Sequence, residues 1–361
     1  MLTSKYQTNP RQPLTYAALP SPTVKALAEF MKAQRPGIAA EVERFRHVKP
    51  RDPDQADDTE VFDGVTFVHR FVQVPSNENL ITYHLVEAGP ADGEAVLLLH
   101  GIPDSWYQWH PVMAKLAGRF RLIAPDLKGY GQSDKRPGDY TYTGIAEELI
   151  GVVDALGVDR FNLVAHDRGT VAADHIAAKH AFRVMRYARG EQHLAHYHPM
   201  LSPQEHVFAS PEPMRDPVKF IVEVFGGAVS RPVPDEVLER TIQEYSYPGV
   251  ADAVPRYFNS SSFMQEWIER RTRLMSAWRA PILLIQGAQS HAQPVEFYED
   301  AWQYMPNVPS AEVKLIDAGH FWPVENPEET AAAIQTFLTQ TPPFDARAWL
   351  EQLGAVNVES R

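Results

Sequence analysis

Five consecutive residues, Ala165-His166-Asp167-Arg168-Gly169, are the place where this sequence is best equipped to do chemistry. They lie between an apolar run, FNLVAHD at 161–167, and a helical pattern, TVAADHIAAKH. Small–x–Asp–x–small suits a tight strand-to-helix turn, because such a turn strains its central residue and clashes with bulky neighbours. The turn sets the central side chain at the sheet's C-terminal edge, above the N-terminus of the next helix. Serine or cysteine in that place would serve acyl transfer. A carboxylate instead suits SN2-like attack on an sp3 carbon, leaving a covalent alkyl ester that water then hydrolyses. The plainer alternative is that Asp167 is a helix N-cap, a common role for aspartate at such a junction.

Three other segments supply context. His100-Gly101-Ile102-Pro103 closes the run AVLLLHG. A backbone N–H there can point at Asp167 and, with the N–H of Arg168, form an oxyanion hole. Gly319-His320-Phe321 follows the last apolar run and is a natural place for a base. APDLKGYGQSD at 124–134 is a Gly-rich loop after a strand.

These residues need a scaffold, and the pattern of the chain describes one. VTFVHRFVQV and NLITYHLVEAG read as two strands around a turn at SNEN. Short apolar runs at 95–101, 121–126 and 161–167 then alternate with helical patterns, which indicates a parallel sheet covered on both faces. After about residue 192 the alternation stops for a proline-rich stretch of helix-like pieces, and it resumes at PILLIQG, 281–287. The stretch is therefore an insertion in one α/β core. Residues 1–60 read as an extension with two amphipathic pieces, 23–32 and 38–45, ending in a loop. Of the 30 prolines, seven fall in 1–60 and ten in 199–281, so the excess belongs to the extension and the insertion, where proline can fix loops and begin helices.

Taken together, HGIPDSW, APDLKGYGQSD, VAHDRG and DAGHFWPVENP resemble the α/β-hydrolase superfamily, within it the group of epoxide hydrolases, haloalkane dehalogenases and fluoroacetate dehalogenases. The resemblance covers about 65–338. It implies an α/β class with a mostly parallel eight-stranded sheet and helices on both faces. The core is expected at 61–191 and 280–361, a helical cap at 192–279 and an N-terminal extension at 1–60. It also implies that Asp167 is the nucleophile, that His320 activates water against the ester, and that the N–H groups of Ile102 and Arg168 form the oxyanion hole.

For the acid behind His320, the group's G-x-x-D pattern meets Gly287-Ala288-Gln289-Ser290-His291, with no carboxylate until Glu296. Other members place the acid at the end of the preceding strand, here RVMRYARGE, ending at Glu191. Glu191 is assigned over Glu296. The leaving group separates the two chemistries. Halide departure needs weak N–H donors, whereas an epoxide oxygen needs a proton, usually from cap tyrosines. Haloalkane dehalogenases carry Trp after the nucleophile, where this chain has Arg168; many carry Asn or a nearby Trp after HG, where it has Ile102. Fluoroacetate dehalogenases carry a second Arg three residues beyond the first, where this chain has Val171, and His-Trp in the first cap helix, where it reads FIVE at 220–223. Asp104 is a further candidate for neutralising Arg168. VPRYFNS at 254–260 resembles the epoxide hydrolase segment bearing a ring-opening tyrosine, which makes Tyr257 the expected acid; Tyr245, Tyr247, His196 and His198 are substitutes for a second donor.

The expected activity is epoxide hydrolysis to a vicinal diol. The runner-up is haloacid or haloalkane dehalogenation through the same ester, and the third reading is a binding protein that retains the fold. Trp106, His166, Phe321 and Trp322 are the expected pocket residues, with core packing the competing role for the aromatics. His166 also orients the elbow, His100 reads as a satisfied structural histidine, and Ser105 reads as an N-cap. His193, His196 and His198 form an H-x-x-H-x-H run, but no carboxylate pattern completes a known metal spacing, so no metal and no cofactor are expected. The chain has no cysteine for a disulfide or thiolate. Its net charge of −12 argues against nucleic acid or anionic membrane as partner. The expected partner is a small-molecule substrate in a soluble, cytoplasmic protein without a signal peptide, and the resemblance adds a homodimer.

Overall fold

The structure, a computed structural model, describes residues 35–77, 79–196, 207–290, 295–298 and 300–352. The expected helical piece at 23–32 lies outside these residues. At its centre is one nine-stranded sheet, β1 (Thr59–Phe62), β2 (Val65–Ser76), β3 (Asn79–Ala88), β4 (Glu94–Leu99), β5 (Phe120–Pro125), β6 (Phe161–His166), β7 (Val184–Gly190), β8 (Ile282–Gly287) and β9 (Ala311–Ile316). Their order is β1-β2-β3-β5-β4-β6-β7-β8-β9. β1, β2 and β3 run antiparallel, β3 meets β5 antiparallel, and the rest of the sheet is parallel. The ninth strand corrects the expected eight. TEVF, which straddles the expected boundary between extension and core, pairs with 65–68 of β2 and extends the antiparallel edge.

β6 and β7 are buried at every position, and β4 at every position after Glu94. Such strands have no solvent face and need helices on both sides. The covering helices are α2 (His110–Leu116), α3 (Tyr142–Ala155), α4 (Gly169–Lys179) and, later, α9 (Pro327–Gln340); an earlier helix, α1 (Arg35–Phe45), belongs to the extension. Their starts are chemically marked. Thr141 caps α3 through the Gly144 N–H, and Asn326 caps α9 with Pro327 in its first turn.

β4 sits between β5 and β6, so the chain reverses its direction of travel across the sheet there. In open α/β sheets the crevice outside such a reversal is where ligands bind. Ile102 follows β4 and Asp167 follows β6, which puts both at this crevice.

Between β7 and β8 lies the helical insertion, called the cap below. It comprises α5 (Pro217–Ala228), α6 (Asp235–Tyr245), α7 (Pro255–Ser260) and α8 (Phe263–Glu269), with shorter turns between them. α8 opens with a reciprocal capping box between Ser262 and Gln265. α1 packs against α5 with Val42 and Phe45 buried, and Arg44, Arg46 and Arg51 reach Asp235, Asp216 and Glu244 of the cap. The described part of the extension thus braces the cap. Among the described residues no helix is long and apolar enough to cross a membrane.

Candidate active site

Asp167 occupies the turn between β6 and α4 at φ 48°, in the left-handed region that non-glycine residues avoid. The strain costs on the order of 1–3 kcal/mol and persists because its surroundings enforce it. Gly169 begins α4 where a Cβ would lie 2.4 Å from the His100 carbonyl oxygen. Gly101 faces Asp167, and a Cβ there would lie 2.4 Å from the aspartate's own Cβ. Both positions therefore admit only glycine, and the elbow packs directly on the β4 loop.

The Asp167 carboxylate does not cap α4. Its Oδ1 accepts the Ile102 N–H at 2.9 Å, while Oδ2 lies 3.6 Å from His320 Nε2. The two oxygens thus have different surroundings: one on a backbone donor, the other facing an imidazole. The second expected donor, the Arg168 N–H, makes no hydrogen bond to the carboxylate among the described residues.

His320 Nδ1 donates to Glu191 Oε2 at 3.0 Å, which turns Nε2 toward Asp167. Glu191 immediately follows β7, at φ 60° and fully buried. Its Oε1 accepts the Gly287 N–H at 2.8 Å and its Oε2 the Ser290 hydroxyl at 2.7 Å. The G-x-x-D stretch, which lacks a carboxylate of its own, thus supplies donors for the carboxylate of the neighbouring strand. Burial alone would push the His320 imidazole down; its hydrogen bond to Glu191, with the charges of Glu191 and Asp167, outweighs burial and holds it above the ordinary histidine value. The side chain of Glu296, the other candidate acid, lies outside the described residues.

The loop bearing His320 is fixed from both sides. The His320 N–H donates to Ala228 O, at the end of cap helix α5. Glu325 accepts N–H groups from Gly319, Phe321, Ser230 and Arg231, so one buried carboxylate joins the His320 loop to the cap's first turn. His166 takes the Gln108 amide on Nδ1 at 2.6 Å and donates from Nε2 to His320 O at 2.8 Å. Burial holds that ring well below the ordinary histidine value, so it is neutral.

Several expected roles change. His166 is an orienting bridge and not a pocket wall. Trp106 is fully buried among Phe67, His69 and Tyr107, and Trp322 against Trp109 and His166, so both are core residues. Phe321 packs against the cap, stacked on Phe225 at 4.1 Å beside His320. Tyr257 is corrected as a free proton donor. Its hydroxyl donates to Lys128 O at 2.8 Å, inside a cluster with Tyr130, Tyr140 and Tyr142. Tyr245 directs its hydroxyl at Met214 Sδ. Tyr247 instead lines a 490 Å³ cavity with Asp54, Gln132 and Lys135. His196 is half-buried, and His198 lies outside the described residues.

Arg168 is paired with Glu266 of α8, and not with Asp104. Nη1 donates to Oε2 at 2.8 Å and Nη2 to Oε1 at 2.6 Å, while Nε donates to Tyr142 Oη at 2.8 Å. Glu266 was not anticipated. Its one signal is an acid on an apolar helix face, with Phe263 and Trp267 at the adjoining positions. Asp104 is buried, with Oδ2 free of any partner, and desolvation pushes its carboxyl up to about 8. Ser105 does cap the turn at Trp106, accepting the Tyr107 N–H, and His100 is satisfied by Gly101 O and the Leu127 N–H. Asp54, Glu60 and His69 come close enough to hold a cation, but Arg51 and Arg240 already neutralise their carboxylates, a donor set that does not suit a metal.

A family model described as the alpha/beta hydrolase fold matches residues 94–231. Over 115 residues the chain is 36 % identical to "Epoxide hydrolase 2" of Caenorhabditis elegans, covering 31 % of each chain. It is 42 % identical over 116 residues to a haloalkane dehalogenase of Mesorhizobium japonicum, covering 32 % of this chain and 37 % of that one. The chain thus spans about a third of the length of the curated relatives it matches. In three dimensions an epoxide hydrolase of Vigna radiata superposes with a TM-score of 0.62 at 22 % identity, over 76 % of this chain and 98 % of that one, a likeness of fold. The sheet order, the strained turn at its reversal and these likenesses agree: the chain has the alpha/beta hydrolase fold and, over about a third of its length, is similar to epoxide hydrolases and a haloalkane dehalogenase.

Proposed function

We propose that this protein is an epoxide hydrolase that opens an epoxide to a vicinal diol through an ester on Asp167. The observation that carries the reading is the division of labour within one carboxylate: Oδ1 on the Ile102 N–H, Oδ2 open toward His320. A serine at this turn would make an acyl-transfer enzyme; an aspartate so held is an alkyl acceptor.

In the first step Oδ2 attacks the less hindered ring carbon, the C–O bond breaks, and the ring oxygen takes the electron pair and a proton. With the Tyr257 hydroxyl donating to the Lys128 carbonyl oxygen, we assign the proton for the ring oxygen to Tyr142. Its oxygen already accepts from Arg168, and its own O–H has no acceptor among the described residues. Burial pushes this phenol up, and the guanidinium beside it works against that rise, favouring the phenolate that forms. In the second step His320 Nε2 takes a proton from water, and the hydroxide attacks the ester carbon. Charge collects on Oδ1, where the Ile102 N–H receives it. Collapse returns the Asp167 carboxylate. One water proton leaves on the diol, and the other restores Tyr142.

A carbon–halogen substrate would form the same ester. Against it stand Ile102 and Arg168 at the positions where haloalkane dehalogenases carry donors for the halide. The test is to incubate the His320→Gln variant with epoxides and with haloacids, quench, and weigh the Asp167 peptide. Epoxide adducts, with diol formation by the wild type, support the reading. Halide release without diol would sink it, and adducts from neither class would favour a binding protein.

A further inference from the structure

Immediately after the nucleophile, a buried guanidinium meets a buried carboxylate from the cap. Arg168 and Glu266 face each other through two parallel N–H···O bonds, the geometry a guanidinium adopts with any carboxylate. The remaining directions are also filled. Nε donates to Tyr142, Ser261 Oγ donates to Glu266 Oε1 at 2.7 Å, and the rings of Tyr142, Phe258 and Phe263 stand 4.8, 5.1 and 4.7 Å from the guanidinium carbon. Both side chains are excluded from solvent. A strong carboxylate-binding edge therefore lies next to the reacting residue, already occupied by a carboxylate of the same chain.

We propose that Glu266 sets the charge of the substrate, holding the carboxylate-binding edge of Arg168 from within so that the pocket takes uncharged epoxides and rejects acids. The epoxide part rests on the function proposed above; the anion subsite does not. An incoming carboxylate must displace Glu266, leaving that side chain charged and unpaired in a desolvated wall. Rejection is thus a built-in penalty against one class of ligand. Neutralising Glu266 reverses the balance. Arg168 then presents two open N–H donors and an uncompensated charge, for which a small carboxylate is the matching partner.

The experiment compares wild type with Glu266→Gln, using benzoate binding by calorimetry and kcat/KM for styrene oxide against phenylglycidate, the same ring system bearing a carboxylate. Wild type should bind no benzoate at millimolar concentration and prefer the uncharged epoxide. Glu266→Gln should bind benzoate and shift the ratio toward the acid by about tenfold or more. A folded Glu266→Gln with neither change overturns the proposal. So does a wild type that binds benzoate and loses it in Arg168→Met. Should Glu266→Gln fail to fold, Glu266→Asp serves in its place: its shorter carboxylate frees part of the guanidinium, and if folded it must bind benzoate or the proposal fails. Benzoate binding needs no turnover, so an absence of epoxide hydrolysis in every form would count against the proposed function alone.

Discussion

Asp167, half-buried, and Glu266, buried, are acids of one constellation, yet the molecule holds them by different means. Asp167 is placed by backbone: a strand end, a left-handed turn, a glycine on either side and a main-chain N–H. Glu266 is placed by side chains: Arg168, 98 residues away in the chain, and Ser261, five residues away. The floor of the site therefore follows from main-chain geometry at the strand ends, while its roof follows from side-chain pairings. A floor built this way tolerates little substitution, whereas a roof built this way can be retuned one side chain at a time.

The largest effect expected is on the floor. Asp167→Asn should lower turnover by about 10⁴-fold or more while leaving the fold intact, since an activated nucleophile has no substitute. Substantial residual turnover would place the reacting group elsewhere. Glu191→Gln should reduce turnover by roughly 10²-fold or more and let the ester accumulate. It should also move the pH profile. His320 must be neutral to take a proton from water, so the rate falls as pH drops through its value in the folded protein. Glu191 holds that value up. Without its charge the acid limb moves to lower pH, and an unmoved limb would remove Glu191 from the pair.

On the roof, the comparison predicts a split between two tyrosines. Tyr142→Phe should slow ester formation by roughly 10²-fold, the scale of a lost general acid. Tyr257→Phe should leave ester formation nearly unchanged and lower stability by about 1 kcal/mol, one buried hydrogen bond to Lys128 O. Rapid-quench measurement of the ester and denaturant titration of both variants decide it, and the reverse ranking would restore Tyr257 as the acid.

Asp104 lies where floor and roof meet, and its effect is on stability. Burial, with Asp167 and Glu244 nearby, raises its carboxyl to about 8, against the opposing influence of the Ser105 N–H and His320. The folded state thus holds this proton more tightly than the unfolded chain does. Its contribution to stability declines as pH rises from about 4, the unfolded value, and is fully lost above about 8. Asp104→Asn should therefore gain in thermal midpoint over wild type across that window, by a few degrees at its alkaline end. A constant difference across pH would show that Asp104 titrates normally.

The same contrast explains what could be read from the chain. Asp167, Ile102 and His320 each follow an apolar run, and each stands at the end of a strand or just beyond it, because strand ends in a parallel sheet converge on one edge. The place of Glu191 beside His320 was legible too, just past the end of the next strand. What failed was direction. For Trp106 and Trp322, pocket lining competed with core packing, and both side chains are buried in the core. Of the two roles read for His166, the bridge to the His320 loop is the one its hydrogen bonds show. Tyr257 sat in the expected segment, yet its hydroxyl faces Lys128 O. The pairing of Arg168 depended on how the cap docks, which no local pattern encodes. β1 was missed because four residues in a polar stretch carry too little periodicity to mark a strand.

The central claim, an ester on Asp167 whose Oδ1 takes the charge when water attacks, is tested most directly by one turnover in ¹⁸O-labelled water with enzyme in excess over a terminal epoxide. The account predicts label in the Asp167 peptide and none in the first diol released, because water's oxygen stays on the carboxylate. Label in that first diol, with an unlabelled Asp167, would mean that water attacks the epoxide directly and would contradict it.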